Sequence, residues 1–456
     1  MGQPNKALAA LIQEANMSLA GLARRVNELG NSSDANLSYD YTAVYRWIRK
    51  GERPRGSVPA LIAQTLAERL GRQVSLADIG MSTADVVPAD LGLTYQDDLD
   101  AAITGTVRLW NADLAGVTTI HAASVTAAAW TDATLSWLVR SGPEKLVERE
   151  HAPRVGRADI AAIRATIAAF SSLDNDFGGG HARRALVQYL GSDVAQLLSG
   201  RYTEQAGREL FATVAEGTLL AAWASYDAGL ETLAQRYFIQ ALRLSQAAGD
   251  LLLGGSILDA MSHQATFLGC HREAANLARA ARTGTCGQAT ATLTAHFHAM
   301  EARALAAAGD TAGCHRALGE AVRVFERRQP GDDPGWIGYF DDAELSAEFS
   351  HCFRDIGRSA DAATYAERSL ESAGASPRSD FFVTMVLADS YLARGEVEAA
   401  CDTARRALDI GEQLKSARCV EYLRRFQQRL APYVKTVPAR ELGAYSADHP
   451  LWTAAT

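Results

Sequence analysis

Long apolar runs are missing from this 456-residue chain. No stretch of about 18 uncharged apolar residues occurs, which argues against a membrane-spanning helix. The opening MGQPNKALAALIQEANMSLAGLARRV is interrupted by Gln13 and Glu14 and has no signal-peptide cleavage pattern. Position 6 holds Lys6 rather than Ser or Thr, so the N-myristoylation pattern fails as well. We therefore expect a cytoplasmic protein that does not engage a membrane.

Metal-binding motifs are also missing. The cysteines lie far apart in the second half of the chain, form no CxxC pair, and are expected to be buried, reduced thiols. They are Cys270, Cys286, Cys314, Cys352, Cys401 and Cys419. His296 and His298 are two residues apart, so they diverge on a helix, and HExxH does not occur. We expect neither a metal nor a cofactor.

Catalytic signatures do not stand out either. The segment LDNDFGGGHARRAL has three glycines but lacks the Lys and Ser/Thr of a phosphate-binding loop, so we interpret it as a glycine turn before a helix. No nucleophile elbow, kinase signature, dinucleotide fingerprint or pair of catalytic carboxylates is recognisable. The acidic doublets Asp332-Asp333 and Asp341-Asp342 sit beside Pro and Gly, which is typical of loops and helix caps. The sequence therefore does not predict an enzyme.

What the chain does contain favours helix. Alanine is abundant and β-branched runs are scarce, and the length requires two or more structural units. The net charge of -8 argues against a protein that coats nucleic acid along its whole length. Residues 1–80 nevertheless carry ten Lys/Arg and seven Asp/Glu, so a balance of +3 contrasts with -11 in the remainder. A basic head on an acidic body is typical of a local DNA-binding domain.

The head, residues 1–81, reads as five short helices. The second is capped by Ser18 and ended by Gly30, and the third, DYTAVYRWIRKG, is capped by Asp40 or Ser38 and ended by Gly51. Ser57 caps the fourth, and SLADIGM closes the unit. Val44, Trp47 and Ile48 of the third helix should point inward, and its aromatic and basic residues elsewhere.

Such a two-sided helix is what a helix-turn-helix needs, because one face anchors it and the other enters a major groove about 12 Å wide. The head resembles the Cro/C1-type (XRE-like) helix-turn-helix family at Ser18, Leu22-Ala23, Val44-Tyr45-Arg46-Trp47, Gly51 and Pro54. The linker between the two helices is longer than usual, and one extra residue separates Trp47 from Gly51.

The resemblance assigns DNA-contacting roles within the third helix and the segment after it. It implies base contacts by Tyr41, Thr42, Tyr45 and Arg46, and phosphate contacts by Arg49, Lys50, Arg53 and Arg55. The alternative is that RRV and RKGERPR are only solvated basic faces of a helical adaptor.

The body, residues 205–430, repeats itself. Gly229, Gly269, Gly309, Gly357 and Gly395 recur at intervals of 40, 40, 48 and 38 residues. Small residues recur seven before, five after and twelve after each glycine, which indicates stacked helical hairpins that cross closely. The pattern resembles the tetratricopeptide repeat and predicts an α-solenoid. Residues 82–204 form a helical connector and 431–456 a tail, so the fold class is all-α.

The whole chain resembles a group of actinobacterial regulators that join a Cro/C1-type head to a tetratricopeptide body, with AQRYFIQALRLSQAAGD, MSHQATFLG and FRDIGR as examples. Some of these relatives restrain sporulation and antibiotic production. A more distant resemblance is to quorum-sensing regulators that bind a short peptide inside the solenoid.

The first helix of each repeat should line a concave groove of mixed charge. Helical spacing places on that face Glu216, Trp223, Asp259, His263, His296, Arg303, Glu344, His351 and Asp389. Such a groove could hold a peptide or a polar small molecule. It could equally bind a protein partner, a second subunit or only water.

Two functions follow. In the first, a homodimer binds double-stranded DNA as a transcriptional regulator, and its body senses a ligand or partner. In the second, the solenoid is a protein-interaction scaffold and the head does not read DNA.

Overall fold

The computed structural model describes residues 4–31, 37–54, 58–72, 74, 76, 78–81, 87–139, 144, 146, 152–329, 331–371 and 376–456. The regular structure in these ranges is helical, apart from one isolated bridge between Arg154 and Arg201. The all-α fold class is therefore confirmed. The chain divides into two units, residues 1–88 and residues 89–456.

The first unit packs its helices around one apolar core. The helices are α1 (Lys6–Glu14), α2 (Leu19–Asn31), α3 (Tyr41–Arg49) and α4 (Val58–Leu70). Leu8, Leu22 and Val44 are fully buried in this core, and Trp47 is 4% exposed. The inward face predicted for α3 is thus confirmed, with Ile48 packed against the same core.

The caps of α2 and α3 agree with the sequence analysis. The Ser18 hydroxyl oxygen accepts a hydrogen bond from the Gly21 N–H at 3.0 Å, and the Asp40 carboxylate accepts one from the Ala43 N–H at 2.9 Å. Both side chains therefore satisfy an amide that the first helical turn leaves unpaired. The cap predicted at Ser57 lies outside the described residues.

Two predictions for the head were wrong. Gly30 does not end α2, because the helix continues through Asn31. A Cβ on Gly30 would lie 2.2 Å from Cδ1 of Leu37, so the glycine makes room for the segment that leads into α3. A fifth helix over SLADIGM is not formed at Leu76 or residues 78–80, which lie in turns.

The second unit begins with helices that precede the repeats. They are α5 (Leu99–Leu114), α6 (Thr118–His121), α7 (Ala127–Val139), α8 (Arg157–Phe177), α9 (Gly179–Tyr189) and α10 (Ala195–Leu198). Five hairpins follow. They are α11 (Glu204–Asp227) with α12 (Glu231–Ala248), α13 (Leu251–Phe267) with α14 (His271–Gly284), α15 (Ala291–Ala307) with α16 (Thr311–Phe325), α17 (Asp342–Asp355) with α18 (Ser359–Leu370), and α19 (Pro377–Ala393) with α20 (Val397–Gly411). The chain ends in α21 (Ala417–Leu430), α22 (Val437–Ser446) and α23 (Pro450–Ala455).

The repeat pattern seen in the sequence is confirmed. Each of the five periodic glycines lies between the two helices of a hairpin, with φ between +76° and +80°. Only glycine adopts this conformation without strain. The fifteen small residues of the three columns are all buried, and the most exposed of them is Ser369 at 8%. The hairpins therefore cross where side chains are smallest.

The segment that follows residue 88 is held by the first repeat. Three long polar side chains of α12, Arg236, Gln240 and Arg243, are almost completely buried. They donate hydrogen bonds to backbone carbonyls, among them Gly92 O at 2.9 Å and Gln96 O at 2.6 Å. Because buried donors need partners, this polar face fixes a segment of turns that forms no helix or strand of its own.

The crossing of α15 and α16 gives a first prediction. Ala302 is fully buried there, so Ala302→Leu should overpack the crossing and lower the free energy of unfolding by about 1–3 kcal/mol. Ala312→Leu, at an exposed site on α16, is the matched control and should change it by less than about 0.5 kcal/mol. Urea unfolding followed by circular dichroism measures both. Equal effects of the two variants would contradict the small-residue crossing.

Candidate functional site

The outward face of α3 brings the predicted DNA-contacting residues together. Tyr41 and Tyr45 are 54% and 43% exposed, and their rings stack with centroids 6.1 Å apart. Also exposed, on α3 or just after it, are Thr42, Arg46, Arg49, Lys50 and Arg53. Arg55 lies outside the described residues. The helix thus presents aromatic, hydroxyl and guanidinium groups on one side.

Two asparagines of α2 hold the segment that leads into α3. The Asn27 side chain donates to Tyr39 O at 2.8 Å and accepts from Tyr39 N at 2.9 Å. One turn later, Asn31 accepts from Leu37 N at 2.8 Å. These amides imitate the pairing of a neighbouring backbone strand, which fixes where α3 begins. Asn27 and Asn31 were not among the residues predicted from the sequence, although their spacing of four on one helix was a signal.

One ion pair lies on the candidate DNA face. Nε of Arg46 is 3.6 Å from a carboxylate oxygen of Glu52, and both side chains are about half exposed. An exposed pair of this kind contributes about 0–1 kcal/mol, so Arg46 can exchange its partner for a nucleic-acid group at little cost. The stacked rings of Tyr41 and Tyr45 beside it form an exposed apolar surface.

In the second unit, polar contacts link the first helices of successive repeats. The Tyr226 hydroxyl lies 3.2 Å from Nδ1 of His263, and rings of Trp223 and His263 are 5.4 Å apart. Asp259 Oδ2 lies 2.5 Å from Nδ1 of His296 on the next repeat. We call the surface that carries these contacts the inner face.

These contacts between successive first helices continue to the end of the array, and we call the whole series the ladder. Arg303 on α15 donates to Glu348 on α17 at 2.7 Å. Arg354 on α17 lies 3.9 Å from Asp389 on α19, and Asp389 also pairs with Arg429 on α21. Eight of the nine predicted groove residues lie on the inner face: six make the contacts above, Glu344 is near Glu348 and His296, and His351 is near Arg303. The eight are Trp223, Asp259, His263, His296, Arg303, Glu344, His351 and Asp389.

The ninth predicted groove residue is set apart from the ladder. Glu216 is half-buried on α11. Burial raises the pKa of its carboxyl above the usual value, and the charge of the nearby Arg164 on α8 only partly offsets this rise. Its charged neighbours are Arg164 of α8 and Asp250, the N-cap of α13. A surface cleft of about 420 Å³ lies beside Arg164, between α8 and Glu209 of α11.

Helix α21 covers the inner face. His351 faces the ring of Tyr422 at 5.9 Å, and the Arg418 guanidinium lies between Tyr226, at 4.6 Å, and Phe382, at 4.5 Å. The groove expected from the sequence is therefore partly filled by the chain's own helix. The sequence analysis missed this, because α21 follows the last periodic glycine and belongs to no repeat.

Burial on the inner face moves the pKa values of its titratable groups. Burial, aided by the positive charges of Arg418 and Arg303, holds the pKa of His263 well below its usual range. Burial also opposes the charge of His296, but the Asp259 carboxylate outweighs it and raises that pKa. Burial and the charge of Glu348 raise the pKa of Glu344 to about 7. The inner face can therefore change its charge near neutral pH.

The parts of the chain that the structure describes contain neither a metal-binding cluster nor a membrane-spanning helix. Across these ranges, no three His, Cys, Asp or Glu residues are grouped in a way that could hold a metal ion. None of the helices there is both long enough and apolar enough to cross a membrane.

Comparison with known protein families gives a match over the head. Residues 8–82 match a family model described as the SP15 N-terminal domain. The match covers most of the first unit, including α2, α3 and α4, and does not extend to the repeats. No curated protein matches the chain.

The raised pKa of Glu344 gives the second prediction. The native state keeps a proton that the unfolded state loses between about pH 4.5 and 7, so this group's contribution to stability is present at low pH and lost as pH rises through about 7. Glu344→Gln imitates the protonated form and should raise the Tm at pH 8 but not near pH 4.5. Glu371→Gln, at an exposed site, should shift neither Tm. Equal shifts for Glu344→Gln at both pH values would refute the assignment.

Proposed function

We propose that the chain is a sequence-specific DNA-binding transcriptional regulator that acts in the cytoplasm. The observation that carries this proposal is the outward face of α3. Tyr41, Thr42, Tyr45, Arg46 and Arg49 are exposed together on a helix whose opposite side is anchored in the core. A helix held in this way can enter a major groove without losing its own packing.

The chemistry of that face suits direct reading of bases. Arg46 can bind guanine O6 and N7 with both branches of its guanidinium, and Arg49 and Lys50 at the end of α3 suit phosphate oxygens. The basic balance of residues 1–80 supports the same assignment. The match to an N-terminal domain family over residues 8–82 supports treating the head as a module of its own.

The body is proposed to dimerise and to sense a ligand or partner. Two heads related by a two-fold axis would bind a pseudo-palindromic site. The polar inner face, with its buried pairs of opposite charge, suits a peptide or polar small molecule. The resemblance to Cro/C1-type regulators with tetratricopeptide bodies adds sporulation and antibiotic production as the processes under control.

Selection of genomic fragments by the purified full-length protein tests DNA reading. At about 150 mM salt, where weak phosphate-only binding is suppressed, a shared two-fold-related sequence should be recovered. Arg46→Ala should weaken binding to it by about tenfold or more, because a paired base contact is worth about 1–3 kcal/mol. Arg49→Ala should reduce the slope of log affinity against log salt by about 1.

Arg72→Ala is the matched control for these variants. Arg72 is as exposed as Arg46 and is likewise ion-paired, to Glu14 on α1 at 2.9 Å, but it lies after α4 and not on α3, so its removal should leave the reading of bases unchanged. If a well-folded protein recovers no shared sequence, or if Arg72→Ala weakens binding as much as Arg46→Ala, reading of bases by α3 is wrong. The scaffold function would then replace it.

A further inference from the structure

The end of the repeat array returns to its beginning. Lys415, just before α21, donates its N–H to Phe177 O at 2.8 Å and accepts the Gly180 N–H at 3.0 Å. On the neighbouring side, Arg378 at the start of α19 donates to Asp174 at 2.6 Å and to Asn175 at 3.2 Å. These contacts join parts of the chain that are about 200 residues apart. We call them the clasp.

Three consecutive glycines make the clasp possible. A Cβ on Gly178 or Gly180 would lie 2.9 or 2.8 Å from the Lys415 carbonyl oxygen, and a Cβ on Gly179 would lie 2.4 Å from Ala224 O. Gly178, between α8 and α9, also has φ +81°, as the predicted glycine turn requires. The turn alone needs one glycine. The second and third are explained by the close approach of the two backbones.

A buried carboxylate organises the centre of the clasp. Asp227, at the end of α11, is 1% exposed and accepts the Gly179 N–H and the Ser416 hydroxyl, both at 2.8 Å. The guanidinium groups of Arg378 and Arg418 each lie 3.9 Å from it. Polar bonds and charges thus hold the first repeat to α19 and to the start of α21.

Helix α21 extends this polar contact along the inner face. Arg418, Tyr422, Arg425 and Arg429 follow one another at intervals of four, three and four residues, so they share one side of the helix. Arg425 lies over the ring of Phe267 at 5.5 Å, and Arg429 pairs with Asp389. The opposite side, with Cys419, Leu423 and Phe426, is fully buried in the apolar core shared by α19–α23.

We propose that the clasp is a reversible closure, by which α19–α23 turn as one body about their apolar contact with α17 and α18 and close on the inner face of the earlier repeats. The two sides of α21 differ in what holds them. One is joined to α19–α23 by apolar packing. The other meets the earlier repeats through the Arg418–Asp227 ion pair, through cation–π and ring contacts, and through the edge of the core at Phe267. Water can replace the polar contacts when α21 separates from the earlier repeats. Exposing the apolar core of α19–α23 would instead have a large free-energy cost. Opening therefore occurs at the clasp before any repeat unfolds, and it uncovers the polar ladder.

Residue-resolved hydrogen exchange on the full-length protein tests this directly. The amides of Gly180 and Lys415 are bonded across the clasp, so in the wild type they should exchange at least about tenfold faster than buried amides of α13–α16. Arg378 lies on α19, away from both of these amides, and Arg378→Gln removes its ion pair to Asp174. It should speed exchange at Gly180 and Lys415 together by about tenfold, with α13–α16 unchanged.

Two further variants keep the test decisive. Gly180→Ala places a methyl group against the Lys415 carbonyl and should have the same effect on the Lys415 amide, without altering any charge. The matched controls are Arg323→Gln, an exposed arginine of α16, and Gly319→Ala, which has open space around its Cα. Neither should change exchange at the clasp. Unchanged clasp amides in Arg378→Gln, or a rise shared equally by α13–α16, would overturn the proposal. This outcome does not depend on whether the head binds DNA.

Discussion

The close crossing of paired helices at small residues is the constraint on which the body depends. Because Ala222, Ser262, Ala302, Ser350 and Ala388 occupy equivalent buried places, each first helix lies directly against its partner. Repeated five times, that packing brings successive first helices side by side on one surface. Polar groups excluded from the apolar crossings, such as Asp259 and Arg303, collect there. The inner face is thus a consequence of the crossing geometry.

Charged groups gathered on one enclosed surface must find partners, because an unpaired buried charge is very unfavourable. The ladder from Tyr226 to Arg429 meets that requirement one repeat at a time, since each first helix supplies a partner for the next. Glu344 is an exception, held near neutral pKa by burial and by Glu348 rather than by an opposite charge. Helix α21 supplies the arginines and the tyrosine that the last repeats lack.

Features set by short-range periodicity were predictable from the sequence, and features set by distant contacts were not. Turn glycines, small columns and the caps at Ser18 and Asp40 each depend on residues within one turn or one hairpin. The clasp joins Arg378 to Asp174 across 204 positions, and no repeat spacing signals it. The hydrogen bonds made by Asn27 and Asn31 of α2 and the position of α21 also depend on tertiary contacts. Gly30 shows the same limit, because its role depends on Leu37 rather than on the end of its own helix.

A body that senses a ligand must have two states that the ligand can distinguish. The repeat crossings offer no such choice, because closely packed small residues cannot slide without creating cavities or clashes. The clasp differs, because its bonds are polar and its close backbone contacts are limited to the three glycines Gly178, Gly179 and Gly180. A ligand that contacts Tyr226 or His351 would compete with α21 for the inner face and so favour the open form. Ligand binding and closure would then be coupled through one surface, with no need for a separate signal along the array.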